Sequence, residues 1–234
     1  MSILITGTSS GVGAGLAAHY LENNYNVYGI SRNVNADLNK PNFSFLSQDL
    51  SNFKEIEQKL PSFLAKETNF ELVILNAGIL NEVKDLRETS IDEIQRTMNI
   101  NVWANKVLID VLFKHVRRIK QVVAISSGAS VSGSRGWNAY ALSKATLNML
   151  IKLYSKEYTE THFCALAPGL IDTNMQDYIY NLPDEEKFPV IQKLKKARGT
   201  ELMPDSGKAA GQIAQAIEKV KGLESGSFVD IRDL

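Results

Sequence analysis

Three side chains able to move a proton together lie in one stretch of the 234-residue chain, VVAISSGASVSGSRGWNAYALSKATLNML: Ser127, Tyr140 and Lys144. The stretch opens as an apolar strand, Val122 to Ile125, and passes through a Ser/Gly-rich loop. It then enters a segment with apolar residues at Leu147, Leu150, Ile151 and Tyr154, the spacing of a helix. Tyr140 and Lys144 are four residues apart, so a helix sets them on one face, one turn from each other. A free phenol has a pKa near ~10 and is a poor acid–base group at neutral pH. A neighbouring ammonium favours the phenolate and draws that pKa toward the working range. Ser127, thirteen residues before Tyr140, can hydrogen-bond a substrate oxygen beside the phenol. The chemistry this suits is proton transfer coupled to reduction of a carbonyl. Tyr-x-x-x-Lys is also common on ordinary helices, and a strand-end serine is often only a cap. The weight therefore falls on the elements that would position these groups.

The first such element is the start of the chain. Ser2 to Thr6 is a short apolar strand, followed by Gly7-Thr8-Ser9-Ser10-Gly11-Val12-Gly13 and a helix through Leu16, Ala17 and Tyr20. Glycines between a strand and a helix let the backbone approach a pyrophosphate, while the helix N-terminus offers free N–H groups and the positive end of its dipole. A second strand, Asn26 to Ile30, ends at Ser31-Arg32. An NAD site usually carries a carboxylate there for the ribose 2′-hydroxyl. The first carboxylate here is Asp37, too far along, whereas the Arg32 guanidinium suits a 2′-phosphate. NADPH is the expected cofactor.

Further strands are expected at Phe43–Leu46, running to Asp49-Leu50, at Glu71–Leu75, running into Asn76-Ala77-Gly78, at Thr161–Ala167, stopped by Pro168-Gly169, and at Ser227–Ile231. Helices are expected from Ser51 to Ala65 and from Pro204 to Val220. Between Ser90 and Leu112 one long helix is interrupted by the poor helix formers Asn99 and Asn101. Residues of about 175–202 are polar and broken by Pro183 and Pro189, as in a mobile cover beside a site. Strands and helices alternate throughout. The expected fold is one α/β domain, 1–234, a doubly wound Rossmann-like parallel sheet of about seven strands with helices on both faces.

Composition narrows the remaining functions. The 26 basic and 26 acidic residues cancel, and no basic run suggests nucleic acid or an anionic membrane. The single cysteine, Cys164, lies in an apolar run and reads as core. His19, His115 and His162 have no metal-ligand spacing, so no metal site is expected. With no long apolar span, a cytoplasmic protein is expected.

Taken in order, Thr6-Gly7-x-x-x-Gly11-x-Gly13, Asn76-Ala77-Gly78, Asn101, Ser127, Tyr140-x-x-x-Lys144 and Pro168-Gly169 resemble the short-chain dehydrogenase/reductase family over essentially the whole chain. The resemblance implies that Tyr140 protonates the carbonyl oxygen as hydride arrives and that Ser127 orients that oxygen. It implies that Lys144 tunes Tyr140 and binds the nicotinamide ribose, and that Asn101 holds a water linking Lys144 to solvent. The cofactor would be held by Gly7, Ser9, Ser10, Gly11, Val12, Gly13, Ser31 and Arg32. Asp49 and Leu50 would meet adenine, with Asn76 to Gly78 beside the adenosine. Pro168, Gly169 and Ile171 would also contact the cofactor, and Thr173 would meet the carboxamide.

Gly136-Trp137 and the run Pro168-Gly169-x-x-Asp172-Thr173-x-Met175-Gln176 look like the sepiapterin reductase and benzil reductase branch. Substrate would then meet Trp137, Met175 and Tyr178, and Asp230 would anchor a polar substrate nitrogen. The implied activity is NADPH-dependent reduction of an aromatic or vicinal diketone. The alternatives are reduction of a pterin side chain and a catalytically silent NADP-binding sensor. The family resemblance also implies a homodimer or homotetramer formed through the helices carrying Asn101 and Tyr140.

Overall fold

The computed structural model describes residues 1–183 and 186–234. Among them, strands β1 Ser2–Thr6, β2 Asn26–Ser31, β3 Phe43–Ser47, β4 Asn69–Leu75, β5 Arg118–Ile125, β6 His162–Ala167 and β7 Ser227–Asp230 form one sheet in the order β3-β2-β1-β4-β5-β6-β7. Every pairing is parallel. The order reverses at β1, so the first connection leads to one edge and the later ones to the other. The crevice beyond the carboxyl ends of β1 and β4 is where such sheets bind ligands.

Side-chain alternation along the strands explains the layering. Ile3 and Ile5 point to one face, joining Leu16 and Ala17 of helix α1 Gly11–Glu22 and Ile213 and Ile217 of helix α9 Ser206–Val220. Leu4 and Val73 point to the other. There they meet Ile56 and Leu60 of α2 Phe53–Leu64, Leu108 and Leu112 of α4 Ala104–His115, and Leu147 and Ile151 of α6 Asn138–Glu157. With both faces covered, the central strands must be apolar without interruption, and β1 is buried at every residue. Cys164 takes its expected place in the first of these cores, where burial pushes its thiol up to about 12. No cluster able to hold a metal occurs among the described residues, and none of their helices is long and apolar enough to cross a membrane.

The expected irregular helix has a definite form. Helix α3 Ile91–Met98 starts in a capping box, with Ser90 accepting from the Glu93 N–H while the Glu93 carboxylate accepts from the Ser90 N–H. It passes into a π-helical turn, Asn99–Trp103, before α4. One extra residue in that turn faces Asn101 inward, fully buried, toward the crevice side of the sheet.

Beyond β6 lie α7 Asn174–Tyr180 and α8 Pro189–Ala197, so the expected cover is helical where described; it includes residues 184 and 185, which lie outside the described residues. It has an apolar core of its own: Ile179, Phe188, Ile191, Leu194, Ala197 and Met203 close on Val83 and Trp137. Arg198 fastens its base through Asp172 at 3.1 Å and through Asp177. The short helix α5 Ala129–Ser132 lies between β5 and α6.

Candidate active site

A cavity of about 770 Å³ opens along the carboxyl ends of the strands. Its dinucleotide end begins at the glycine loop. Gly7 and Gly11 have φ of +78° and +58°, the left-handed region open to glycine. At Gly13 the constraint is space: a Cβ there would stand 2.3 Å from the Gly7 carbonyl oxygen and 2.4 Å from the Asn76 amide nitrogen. The loop is thus folded so tightly on the strand ends that helix α1 starts at the cavity wall. Ser10, at the N-cap, makes no side-chain cap, and no acidic residue occupies the first turn. The leading N–H groups and the dipole's positive end are left for an anion.

The floor beside this loop is a pin between two strand ends. The Thr6 hydroxyl accepts from the N–H groups of Asn76 and Ala77, each at 3.0 Å, and the Asn76 amide donates to the Thr6 carbonyl at 3.0 Å. Gly7, Ser9, Ser10, Gly11, Val12, Ser31, Arg32, Asp49, Leu50, Asn76, Ala77, Gly78, Pro168, Gly169, Ile171 and Thr173 all line the cavity, as expected, while Gly13 stands behind the loop it allows. Asp49 is the one carboxylate among the described lining residues. It accepts from both the N–H and the hydroxyl of Ser51 at 2.8 Å, which with the nearby Arg32 guanidinium holds it below the usual carboxylate range. Against it stand three cations, Arg32, Arg96 and Lys144. Glycine cradle, uncapped helix start and cationic wall together fit a dinucleotide phosphate.

Arg96 was not foreseen as a lining residue, nor were Leu80, Ile100 and Leu194. Arg96 enters because α3 runs beside the crevice, a tertiary placement that helical spacing alone does not carry.

At the catalytic end, Tyr140 and Lys144 do share one face of α6, and Ser127 reaches them from the end of β5. The Ser127 hydroxyl stands close enough to the Tyr140 phenol to favour its ionised form. The Lys144 ammonium donates to the Ile125 carbonyl at 2.7 Å and lies 5.8 Å from the centre of the Tyr140 ring. The expected lowering of the phenol's pKa is not met in the chain by itself: burial raises it, and the nearby Ser127 hydroxyl only partly offsets this. Burial instead acts on the amine, pulling Lys144 down to about 8.

Asn101 does not line the cavity. Its amide oxygen accepts from the Ile79 N–H at 2.8 Å, and its amide nitrogen donates to the Ile79 carbonyl at 3.0 Å and the Ser143 hydroxyl at 2.9 Å. Ser143 in turn donates to the Tyr140 carbonyl at 2.7 Å. Asn101 thus clamps the loop after β4 to the first turn of α6. With the amide so engaged, a water held by Asn101 would have to sit on its main-chain carbonyl, which already accepts from Asn105.

Past Tyr140 the cavity turns apolar, walled by Trp137, Met175, Tyr178, Ile179 and Leu194. Trp137 and Tyr140 have ring centres 6.0 Å apart, and the Tyr178 hydroxyl accepts from the Val83 N–H at 3.3 Å. Asp230 is a correction. It does not line this cavity. Its carboxylate is held by Arg232 through Nε at 2.7 Å, Nη2 at 2.5 Å and the main-chain N–H at 3.0 Å. A carboxylate satisfied three times within its own turn is not available to anchor a substrate nitrogen.

This fold and site define a nucleotide-dependent oxidoreductase, and comparison with known proteins supplies the family. Residues 1–182 match the family described as short chain dehydrogenase. The chain is 30% identical to benzil reductase ((S)-benzoin forming) of Bacillus subtilis (strain 168) over 98% of both chains. It is 32% identical to the benzil reductase of Bacillus cereus over 79% of this chain and 81% of that one. Among solved structures, the crystal structure of the KRED1-Pglu enzyme superimposes with a TM-score of 0.85 at 21% identity, covering 97% and 99% of the two chains. The chain belongs to the short-chain dehydrogenase family and resembles its benzil reductase branch. It is an oxidoreductase acting on carbonyl and hydroxyl groups, in a family that uses nicotinamide dinucleotides.

Proposed function

We propose that the protein reduces aromatic or vicinal diketones with NADPH, with Tyr140 as proton donor. The observation that carries this is the gathering of Ser127, Tyr140 and Lys144 on the wall of one cavity, beside the apolar residues that start at Trp137. The printed names of the Bacillus relatives support the substrate class. A bound NADPH would supply the hydride to the carbonyl carbon. The phenol, holding its proton because burial raises its pKa, donates that proton to the carbonyl oxygen to complete the alcohol. Ser127 holds the oxygen in line by donating a second hydrogen bond. Lys144, largely an ammonium at neutral pH, stabilises the phenolate left behind.

NADPH is favoured over NADH because Arg32 stands exposed at the end of β2 and Asp37, the nearest following carboxylate, does not line the cavity. In Tyr140→Phe, reduction of benzil or 1-phenyl-1,2-propanedione should fall by roughly 10²–10⁴ in kcat while the NADPH Kd is kept. Substantial turnover by that variant would remove Tyr140 as the acid. Turnover by neither enzyme across a broad carbonyl screen, with tight NADPH binding, would favour a silent sensor instead.

Self-association and a cytoplasmic setting belong to the same proposal. On α4 and α6, Val111, Leu147 and Ile151 are buried in the core, and Val107 packs half-buried against it. Among the described residues of the π-turn Asn99–Trp103 and of α6, the exposed large apolar side chains are Trp103, Leu142, Met149 and Leu153. A solution mass of a single chain would remove the oligomer.

A further inference from the structure

On the basis of the function proposed above, we propose that Asn148 is a positioning residue that sets the Ser127 hydroxyl for the carbonyl oxygen. Asn148 follows Tyr140 and Lys144 on the same face of α6, each one turn beyond the last. The three side chains grip successive parts of the β5 exit. Tyr140 meets Ser127, Lys144 donates to the Ile125 carbonyl at 2.7 Å, and Asn148 ties the residues on either side of Ser127. The Ser126 hydroxyl donates to the Asn148 amide oxygen at 2.5 Å, and the Asn148 amide nitrogen donates to the Ser130 hydroxyl at 2.9 Å.

The second tie leads back to Ser127. Because the Ser130 oxygen accepts from Asn148, its proton is directed outward, and it donates to the Ser127 carbonyl at 2.7 Å. The Ser130 N–H donates to that same carbonyl at 3.0 Å, and the Ser127 hydroxyl accepts from the Ala129 N–H at 3.1 Å. Ser127 is therefore the apex of a turn whose two feet stand on one amide. An amide serves both feet, since it accepts the Ser126 proton and supplies one to Ser130. A carboxylate would satisfy Ser126 but would draw the Ser130 proton away from the Ser127 carbonyl. The cluster lies apart from the dinucleotide end of the cavity, and Asn148 lines no part of it.

The test compares Asn148→Leu and Asn148→Asp with the parent enzyme, and repeats both in a Ser127→Ala background. Diketone kcat and the NADPH Kd are measured throughout. With Ser127 present, Asn148→Leu should lower kcat about tenfold, a loss of roughly one hydrogen bond's worth of transition-state stabilisation. Asn148→Asp should fall between it and the parent. The NADPH Kd should move by less than about twofold, since no group that Asn148 touches lines the dinucleotide end except through Ser126. In the Ser127→Ala background both substitutions should change kcat by less than about twofold, because the group they orient is gone.

Equal losses with and without Ser127 would reduce Asn148 to a structural residue, and an unchanged kcat in Asn148→Leu would overturn the inference outright. If Asn148→Leu does not fold, Asn148→Asp and Ser130→Ala give the same discrimination. Failure of the underlying function looks different: the parent enzyme itself would then turn over no diketone, or Ser127→Ala alone would leave its turnover intact.

Discussion

At the dinucleotide end the cavity wall is main chain, folded onto strand ends by glycines and pinned by Thr6. At the substrate end it is side chain, carried on helices α7 and α8 that have their own small core and reach the sheet through Val83 and Trp137. The first arrangement is intolerant of change, because a carbonyl oxygen cannot move aside for a methyl group. The second can repack, because apolar side chains of similar volume exchange at modest cost. A single scaffold can thus keep one cofactor and vary its substrates.

Gly13→Ala gives the hardest test of that contrast. A methyl 2.3 Å from the Gly7 carbonyl oxygen must displace the loop, and NADPH binding should weaken by at least about a hundredfold. Calorimetric titration retaining parent affinity would break the comparison. Ile191→Ala, buried in the core of the cover, removes packing worth roughly 2–5 kcal/mol. It should raise the diketone KM about tenfold and leave the NADPH Kd unchanged; a parallel loss of cofactor affinity would show that the two ends are not independent. Arg32→Ala lies at the dinucleotide end but on its exposed rim. It should cost about tenfold in NADPH affinity, leave NADH binding alone, and become smaller as salt rises.

The last effect concerns the amine between the two ends. Lys144 titrates at about 8 in the folded chain against 10.5 as its ordinary value. Between these the unfolded chain binds more protons, so stability rises with pH. Relative to Lys144→Met, the cofactor-free protein should gain about 1–2 kcal/mol in denaturant unfolding from about pH 8 to about pH 9.5. A flat difference would mean that the ammonium is not desolvated as its surroundings imply.

The same contrast explains what could be read from residues alone. Glycine spacing, the Ser127, Tyr140 and Lys144 set and the Arg32 position are local: each depends on a strand end or a helix face that periodicity reveals. The sheet followed from uninterrupted apolar runs such as Ile3–Ile5 and Val73–Leu75. The π-turn at Asn99–Trp103 was legible only as an irregularity, since two asparagines signal a break without specifying its hydrogen bonds. Arg96 and Leu194 were not legible, because they reach the cavity through helix packing. Asp230 misled because the resemblance carried a role to it without weighing the arginine two positions on, which holds its carboxylate. The fall expected in the phenol's pKa neglected burial, which is a property of the assembled site.

The pin joining Thr6 to Asn76 and Ala77 spans some seventy residues and has a consequence for synthesis. While the ribosome is still making the chain ahead of β4, β1 can pair with β2 but has a bare edge on its other side. A polypeptide stalled there would expose an unpaired apolar strand, the kind that neighbouring chains capture. Such a fragment would also lack the cavity wall from Asn76 onward, which has not yet been translated.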